Sequence, residues 1–175
     1  KYMLEDAKVD PIGRTDQLST SPALVLGHFR LSFMVKETIK LPRYSGSAWR
    51  GLFGHALKKA VCVTKESKCE DCLLYHGCAY PYIFETSPPL DTERMRKYNA
   101  VPHPFVIYPL PTEHQSLAAG SVMQIEFIVC GRAINFLPYM VYAFQSAGEQ
   151  GFGKGHSKFE LTEVEQLVGT LVLNG

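Results

Sequence analysis

The stretch MQIEFIVCGRAINFLPYMVYAFQSAGEQGFGKGHSKFEL, Met123 to Leu161, changes its periodicity three times. Met123, Ile125, Phe127 and Val129 alternate with Gln124, Glu126 and Ile128, the period of a strand. Asn135 then offers a cap to a helix that carries Phe136, Tyr139, Met140, Ala143, Phe144 and Ala147 on one side, tolerates Pro138 in its first turn and stops at Gly148. A glycine-rich loop follows, and Phe159 and Leu161 resume strand alternation.

Upstream the same plan appears once more. Phe29, Leu31, Phe33 and Val35 alternate with Arg30, Ser32, Met34 and Lys36, a half-buried strand with one face open. After RYSGS, with Ser45 or Ser47 as cap, Trp49, Leu52, Phe53, Ala56, Leu57, Ala60 and Val61 recur at helical spacing. YPYIF (Tyr80 to Phe84) and PFVIYPL (Phe105 to Leu110) read as two further strands, and the charged stretch around RMRK between them reads as a short helix or a loop. Residues 1–22, with Pro11, Gly13 and a Ser/Thr cluster, read as an arm or loop ahead of one domain over 23–175. The order predicts an α+β fold of ferredoxin-like or RRM type. Two helices cover one face of an antiparallel sheet, the other face is free to bind, and a four-cysteine loop is inserted.

At 175 residues the chain can bury one full core. With 46% apolar residues, 20% charged residues and a net charge of +1, it is an ordinary globular sequence whose overall charge announces no polyanionic partner. The segment Leu24 to Ala60 is nevertheless basic, with Arg30, Lys36, Lys40, Arg43, Arg50, Lys58 and Lys59 against the single acid Glu37. Gathered on one face, these cations would attract phosphate; scattered, they are a solvated surface. No apolar run approaches the roughly 20 residues that span a bilayer, and the start KYMLEDAKVD lacks the apolar heart of a signal peptide. A cytoplasmic protein is expected, with no membrane partner. The lack of a starting Met, and an end just after LVGTLVLNG, point to a fragment.

Four of the five cysteines fall within CVTKESKCEDCLLYHGC, Cys62 to Cys78. Cys62, Cys69, Cys72 and Cys78 are separated by six, two and five residues, a spacing that lets four thiolates close around zinc or a 4Fe–4S cluster. Four protein thiolates leave no open position for chemistry, so the centre would be structural. A redox dithiol or disulfide pair is the competing reading, one that cytosolic chains seldom use. The loop also resembles the iron–sulfur loop of the endonuclease III class of DNA glycosylases, without the helix–hairpin–helix that accompanies it there. Cys130 reads as a small core residue.

RYSGSAWRGLFGHALKKAVCV, the cysteines with YPYIFET, YNAVPHPFVIYP, and CGRAINFLPYMVYAFQSAGEQGFGKGHSKFEL together resemble the N-terminal half of a CRISPR RAMP-superfamily protein, of the precursor-CRISPR-RNA processing endoribonuclease group. The likeness runs from about Leu24 to Leu173. Ser47, Arg50 and Gly51 are similar to the superfamily's first-helix signature, and the glycine-rich loop is similar to its RNA-contacting loop. The resemblance implies CRISPR repeat RNA as ligand, other CRISPR effector subunits as further partners and no small-molecule substrate. It also implies a second ferredoxin-like domain, without which this piece is not expected to cleave. RNA contacts are expected from Arg50, Lys59, Gly151, Gly153, Lys154, Gly155, His156 and Lys158, because glycine amides approach phosphate closely and the cations supply charge. A plain hairpin end is the bland reading of that loop, and Phe152 either stacks a base or plugs the sheet.

Metal-independent cleavage through a 2′,3′-cyclic phosphate needs a base, an acid and positive charge. In the resembled family a histidine near the first helix takes such a role, and His55 lies there, off the apolar stripe, with Lys58 and Lys59 three and four positions on. Neighbouring ammonium groups disfavour the imidazolium, which suits a base. Tyr44, just ahead of the helix, is the expected assistant. A helical histidine packed at a sheet edge is the alternative. A guide-RNA-binding subunit that does not cut and a metal-stapled protein-interaction domain are the rival functions.

Overall fold

Twelve residues, Leu24–Val35, form the first strand, β1, and bury Phe29, Leu31, Phe33 and Val35 on one side as the alternation requires. The computed structural model describes residues 24–86, 102–112 and 115–173. The expected arm at 1–22 and the RMRK stretch lie outside the described residues. A two-residue strand β2 (Ile39–Lys40) follows, then helix α1 (Gly46–Val61) and strand β3 (Phe105–Pro109). After them come the short strand β4 (Ser116–Leu117), strand β5 (Val122–Cys130), helix α2 (Leu137–Gln150) and strand β6 (Phe159–Leu173).

The four long strands form one sheet in the order β3-β5-β1-β6, every neighbouring pair antiparallel. Read along the chain, the long elements run β-α-β-β-α-β, which defines the ferredoxin-like α+β fold. The register sets Phe29 opposite Phe127 and Phe33 opposite Met123, so the inward side chains of β1 and β5 share a face. Small β2 and β4 pair separately.

Both helices pack their aromatic stripes onto that face. Phe53 of α1 stacks on Phe144 of α2 at 4.7 Å, Phe144 meets Phe127 edge-on at 5.2 Å, and Trp49 lies 5.0 Å from Phe33. These rings are at most 2% exposed, so removing any one costs about 3–5 kcal/mol.

The structure corrects three sequence expectations. YPYIF is no strand: Pro81–Glu85 form a π-helical turn, closed by the Thr86 N–H donating to the Pro81 carbonyl at 2.7 Å. Proline has no N–H for a ladder, whereas Tyr80 and Phe84, four apart, stack at 5.6 Å and buried Ile83 holds the turn to the core. Asn135 is no cap, because a 3-10 turn over Gly131–Phe136 runs straight into α2 and puts Phe136 in the cap position. Gly148 does not end α2. It lies inside the helix where a Cβ would sit 2.1 Å from the Phe159 carbonyl oxygen, so its bareness lets α2 touch β6, and the helix stops two residues later before Gly151.

Candidate nucleic-acid interface

His55 is exposed on α1 and its Nδ1 lies 3.0 Å from Oε1 of Gln150, the last residue of α2. Gln150 Nε2 donates to Ser146 Oγ at 3.5 Å, which turns Oε1 toward the imidazole. Nδ1–H then donates to Gln150, and Nε2 is left as the basic nitrogen of the neutral ring. Lys59, one helical turn on, is exposed beside it.

The glycine-rich loop starts at the same place. Gly151 takes φ +88, which ends α2, and its missing Cβ would stand 2.0 Å from the His156 carbonyl oxygen. Phe152 and Ser157 then pair through two backbone hydrogen bonds, 2.8 and 3.2 Å, and close a tight turn over Gly153, Lys154, Gly155 and His156. His156, at φ +48, brings its Nδ1 to 3.3 Å from the Gln150 carbonyl oxygen. The two histidines from separate elements thus converge on Gln150.

This turn is held in place. Ser157 Oγ donates to the Thr38 carbonyl at 2.9 Å, and the Lys158 N–H donates to the Glu37 carboxylate at 2.9 Å. Phe152 plugs the core: it is 3% exposed and meets Trp49 edge-on at 5.3 Å. At the tip, Lys154 and Gly155 are exposed, and among the described residues their N–H groups have no hydrogen-bond partner. Two free amides on the same turn as Lys154 and His156 are the kind of donors that accept an anion.

Other expected site residues lie elsewhere. Lys58 Nζ is 5.4 Å from the centre of the Tyr80 ring and lines the cysteine cavity, so only Lys59 flanks His55 on the exposed side. Arg50 sits over Phe84 and Phe105 at 5.0 and 5.2 Å, and its guanidinium helps burial push the His103 imidazole below its usual range. Lys158 spends its ammonium on the Glu149 carbonyl at 2.5 Å. Tyr44, 78% exposed under Arg43, precedes α1, whereas His55 is nine residues into it; the helical rise alone separates them by about 13 Å. Tyr44 and His55 are not brought together.

The basic stretch does not gather on one face either. Arg30 points to the uncovered side of the sheet, between Glu126 and Glu165 at 3.5 Å each, and His28 meets Glu126 at 3.0 Å. Lys36 pairs with Glu160. Those cations are already partnered, so the open sheet face is a poor phosphate platform. A helix stop at Gly148 hides Gln150 in the sequence; the stop at Gly151 places it beside the loop.

Cys62, Cys69, Cys72 and Cys78 all line one cavity of about 30 Å³ at the C-terminal end of α1, and all five cysteines are free thiols. Burial first, then Glu85, pushes the Cys69 thiol up to about 11, against the opposing pull of Lys58. Cys72 Sγ lies 3.4 Å from the Leu74 N–H and 3.3 Å from Thr64 Oγ1. The residues fit a thiolate centre in type, and all four line the same cavity; among the described residues no three cysteine, histidine or acidic side chains stand close enough to share one ion. Cys130, expected in the core, is half-buried at the end of β5, where burial raises its thiol.

Fold and site together define a ferredoxin-like domain with a histidine-bearing glycine loop at one helix end and a four-cysteine loop at another. The AF_1859_N family, described as an N-terminal domain, matches residues 24–172, and the chain belongs to that family. An uncharacterized protein of Archaeoglobus fulgidus is 23% identical over 128 residues, 73% of this chain and 42% of that protein. A Cas6 chain solved as a product complex superposes with a TM-score of 0.43 and 15% identity, over 80% of this chain and 40% of its own length. The chain therefore spans less than half of each of these relatives. Among the described residues, no helix is long and apolar enough to cross a membrane.

Proposed function

We propose that the chain is the repeat-RNA-binding N-terminal domain of a precursor-CRISPR-RNA processing endoribonuclease, cutting without a metal ion. The observation that supports this reading is the meeting of His55 and His156 on Gln150, beside the free amides of the glycine loop. Sequence motifs at α1 and at that loop, similar to the RAMP pattern, point the same way.

The chemistry follows from the arrangement. The scissile phosphate rests on the Lys154 and Gly155 amides with Lys59 and Lys154 nearby. His55 Nε2 removes the 2′-hydroxyl proton; the 2′-oxygen attacks phosphorus, and the 5′-oxygen leaves with a proton from protonated His156. The product is a 2′,3′-cyclic phosphate. Tyr44, ahead of the N-terminal end of α1, lies too far from His55 to share these steps.

The test is cleavage of a labelled CRISPR repeat RNA in EDTA by the full native polypeptide, with and without His55→Ala. Cleavage lost on substitution while RNA binding persists is the expected result. Undiminished cleavage by His55→Ala would sink the assignment. Binding without cleavage by any form would instead favour a guide-RNA-binding subunit, and neither binding nor cleavage a protein-interaction domain.

A further inference from the structure

The four-cysteine loop is built as a string of turns rather than as loose chain. The N–H groups of Cys72, Tyr75 and Gly77 donate to the carbonyls of Cys69, Cys72 and Leu74, each at 3.0 Å. Tight turns at Cys69–Cys72 and beyond bring thiols that are distant in sequence to the rim of one cavity, whose walls include Val61, Leu74 and Pro81. Val61 and Pro81 shield the cavity on its inner side while Leu74 stays half exposed, and reduced access of water makes thiolate–metal bonds harder to hydrolyse.

Each end of the loop is fused to a core element. The Cys62 N–H donates to the Lys58 carbonyl at 2.9 Å, so the first thiol belongs to the last turn of α1. Cys78 runs directly into the segment from Ala79 to the π-helical turn, whose Phe84 packs 6.4 Å from Phe53. A group held by all four thiols would therefore tie the end of α1 to that turn.

Charge is provided for as well. Four thiolates around a zinc ion, or around a 4Fe–4S cluster in its usual oxidised state, leave a net charge of about −2. Lys58 lines the cavity and offers its ammonium to that charge. The Leu74 N–H and the Thr64 hydroxyl lie against Cys72 Sγ, as amide and hydroxyl donors do around metal-bound thiolates.

We infer that Cys62, Cys69, Cys72 and Cys78 bind one thiolate-ligated metal centre, zinc or a 4Fe–4S cluster, which locks the C-terminal end of α1 to the π-helical turn. Each thiol gives up its proton on ligation, and no electron transfer is needed for the structural role. The inference stands independently of the RNA reading.

The test is elemental analysis and visible absorption of the chain purified without oxygen, beside Cys72→Ser and Cys130→Ser. About one zinc per chain with no visible band, or about four irons with a broad visible band, is the expected result. Cys72→Ser loses most of that metal, and Cys130→Ser keeps it. If Cys72→Ser does not fold, the wild-type chain decides through cobalt: stripped of metal and titrated with Co²⁺, it develops intense thiolate-to-cobalt absorption at one equivalent and a higher Tm. A metal-free chain that shows neither change would overturn the inference.

Discussion

His55 Nδ1 lies 3.0 Å from Gln150 Oε1, a contact that joins the exposed side of α1 to the last residue of α2. Its value is orientation rather than stability, because an exposed side-chain hydrogen bond contributes only about 0.5–1.5 kcal/mol. Gln150→Ala frees the imidazole to turn and to change tautomer. We expect the cleavage rate to fall about tenfold, a fraction of the ~10²–10⁴ that a general acid–base residue supplies, with RNA affinity nearly unchanged. Single-turnover kinetics beside a binding titration separate the two; a loss confined to affinity would place Gln150 in binding instead.

Gly151 and Gly153 both have positive φ, yet their substitution by alanine differs in consequence. At Gly151 a Cβ would meet the His156 carbonyl at 2.0 Å as well as the strained dihedral, whereas at Gly153 nothing lies within 4 Å. Gly151→Ala should cost roughly 2–3 kcal/mol or displace the loop, and Gly153→Ala about 1 kcal/mol. Urea midpoints measure both. Equal losses would mean that the His156 carbonyl does not clamp the turn against Gly151.

RNA affinity should fall steeply with salt, and the cations should divide into two groups. Lys59 and Lys154 are exposed beside the histidines, so each change to alanine should reduce the slope of log K against log salt by about 0.7–1. Lys36, paired with Glu160, and Arg30, held between Glu126 and Glu165, should leave the slope almost untouched. A slope that responds to Arg30 instead would move the RNA to the uncovered sheet face.

Much of this was legible in the sequence, for identifiable reasons. The alternation through Phe29–Val35 and Met123–Val129 reports a sheet with one buried face, and the aromatic stripes of α1 and α2 report what covers it; strong periodicity survives into the fold. YPYIF misled because aromatic residues have strand propensity, while proline and an i,i+4 ring pair decided for a helical turn. The end of α2 was misplaced because glycine is both a stop signal and a contact residue, and only the neighbouring β6 backbone distinguishes Gly148 from Gly151. Within the site, His55 and the loop could be named from motif position. Their convergence on Gln150 could not, since it depends on how two helices cross; the diversion of Lys58 and Arg50 onto aromatic rings depends on packing too.

Acid should weaken the fold through His103. His103 is largely exposed, so the effect is modest: partial desolvation against Phe84 and Phe105 first and the Arg50 guanidinium second hold this imidazole below its usual 6.5, with a backbone hydrogen bond at Ile83 pulling the other way. In the unfolded chain the ring returns to the ordinary value, so from about pH 6.5 down to the lowered folded pKa the unfolded state carries more protons. Stability therefore rises with pH through that window: the contribution is present above about 6.5 and is lost as the pH falls below it. His103→Phe keeps a ring between Phe84 and Phe105, which lie 6.1 and 5.9 Å away, and removes the titration. Between about pH 7.5 and about pH 5.5 the variant should lose less Tm than the wild type, and Arg50→Met should fall between them because it removes only the second cause. Identical losses in all three chains would assign the acid sensitivity to other groups.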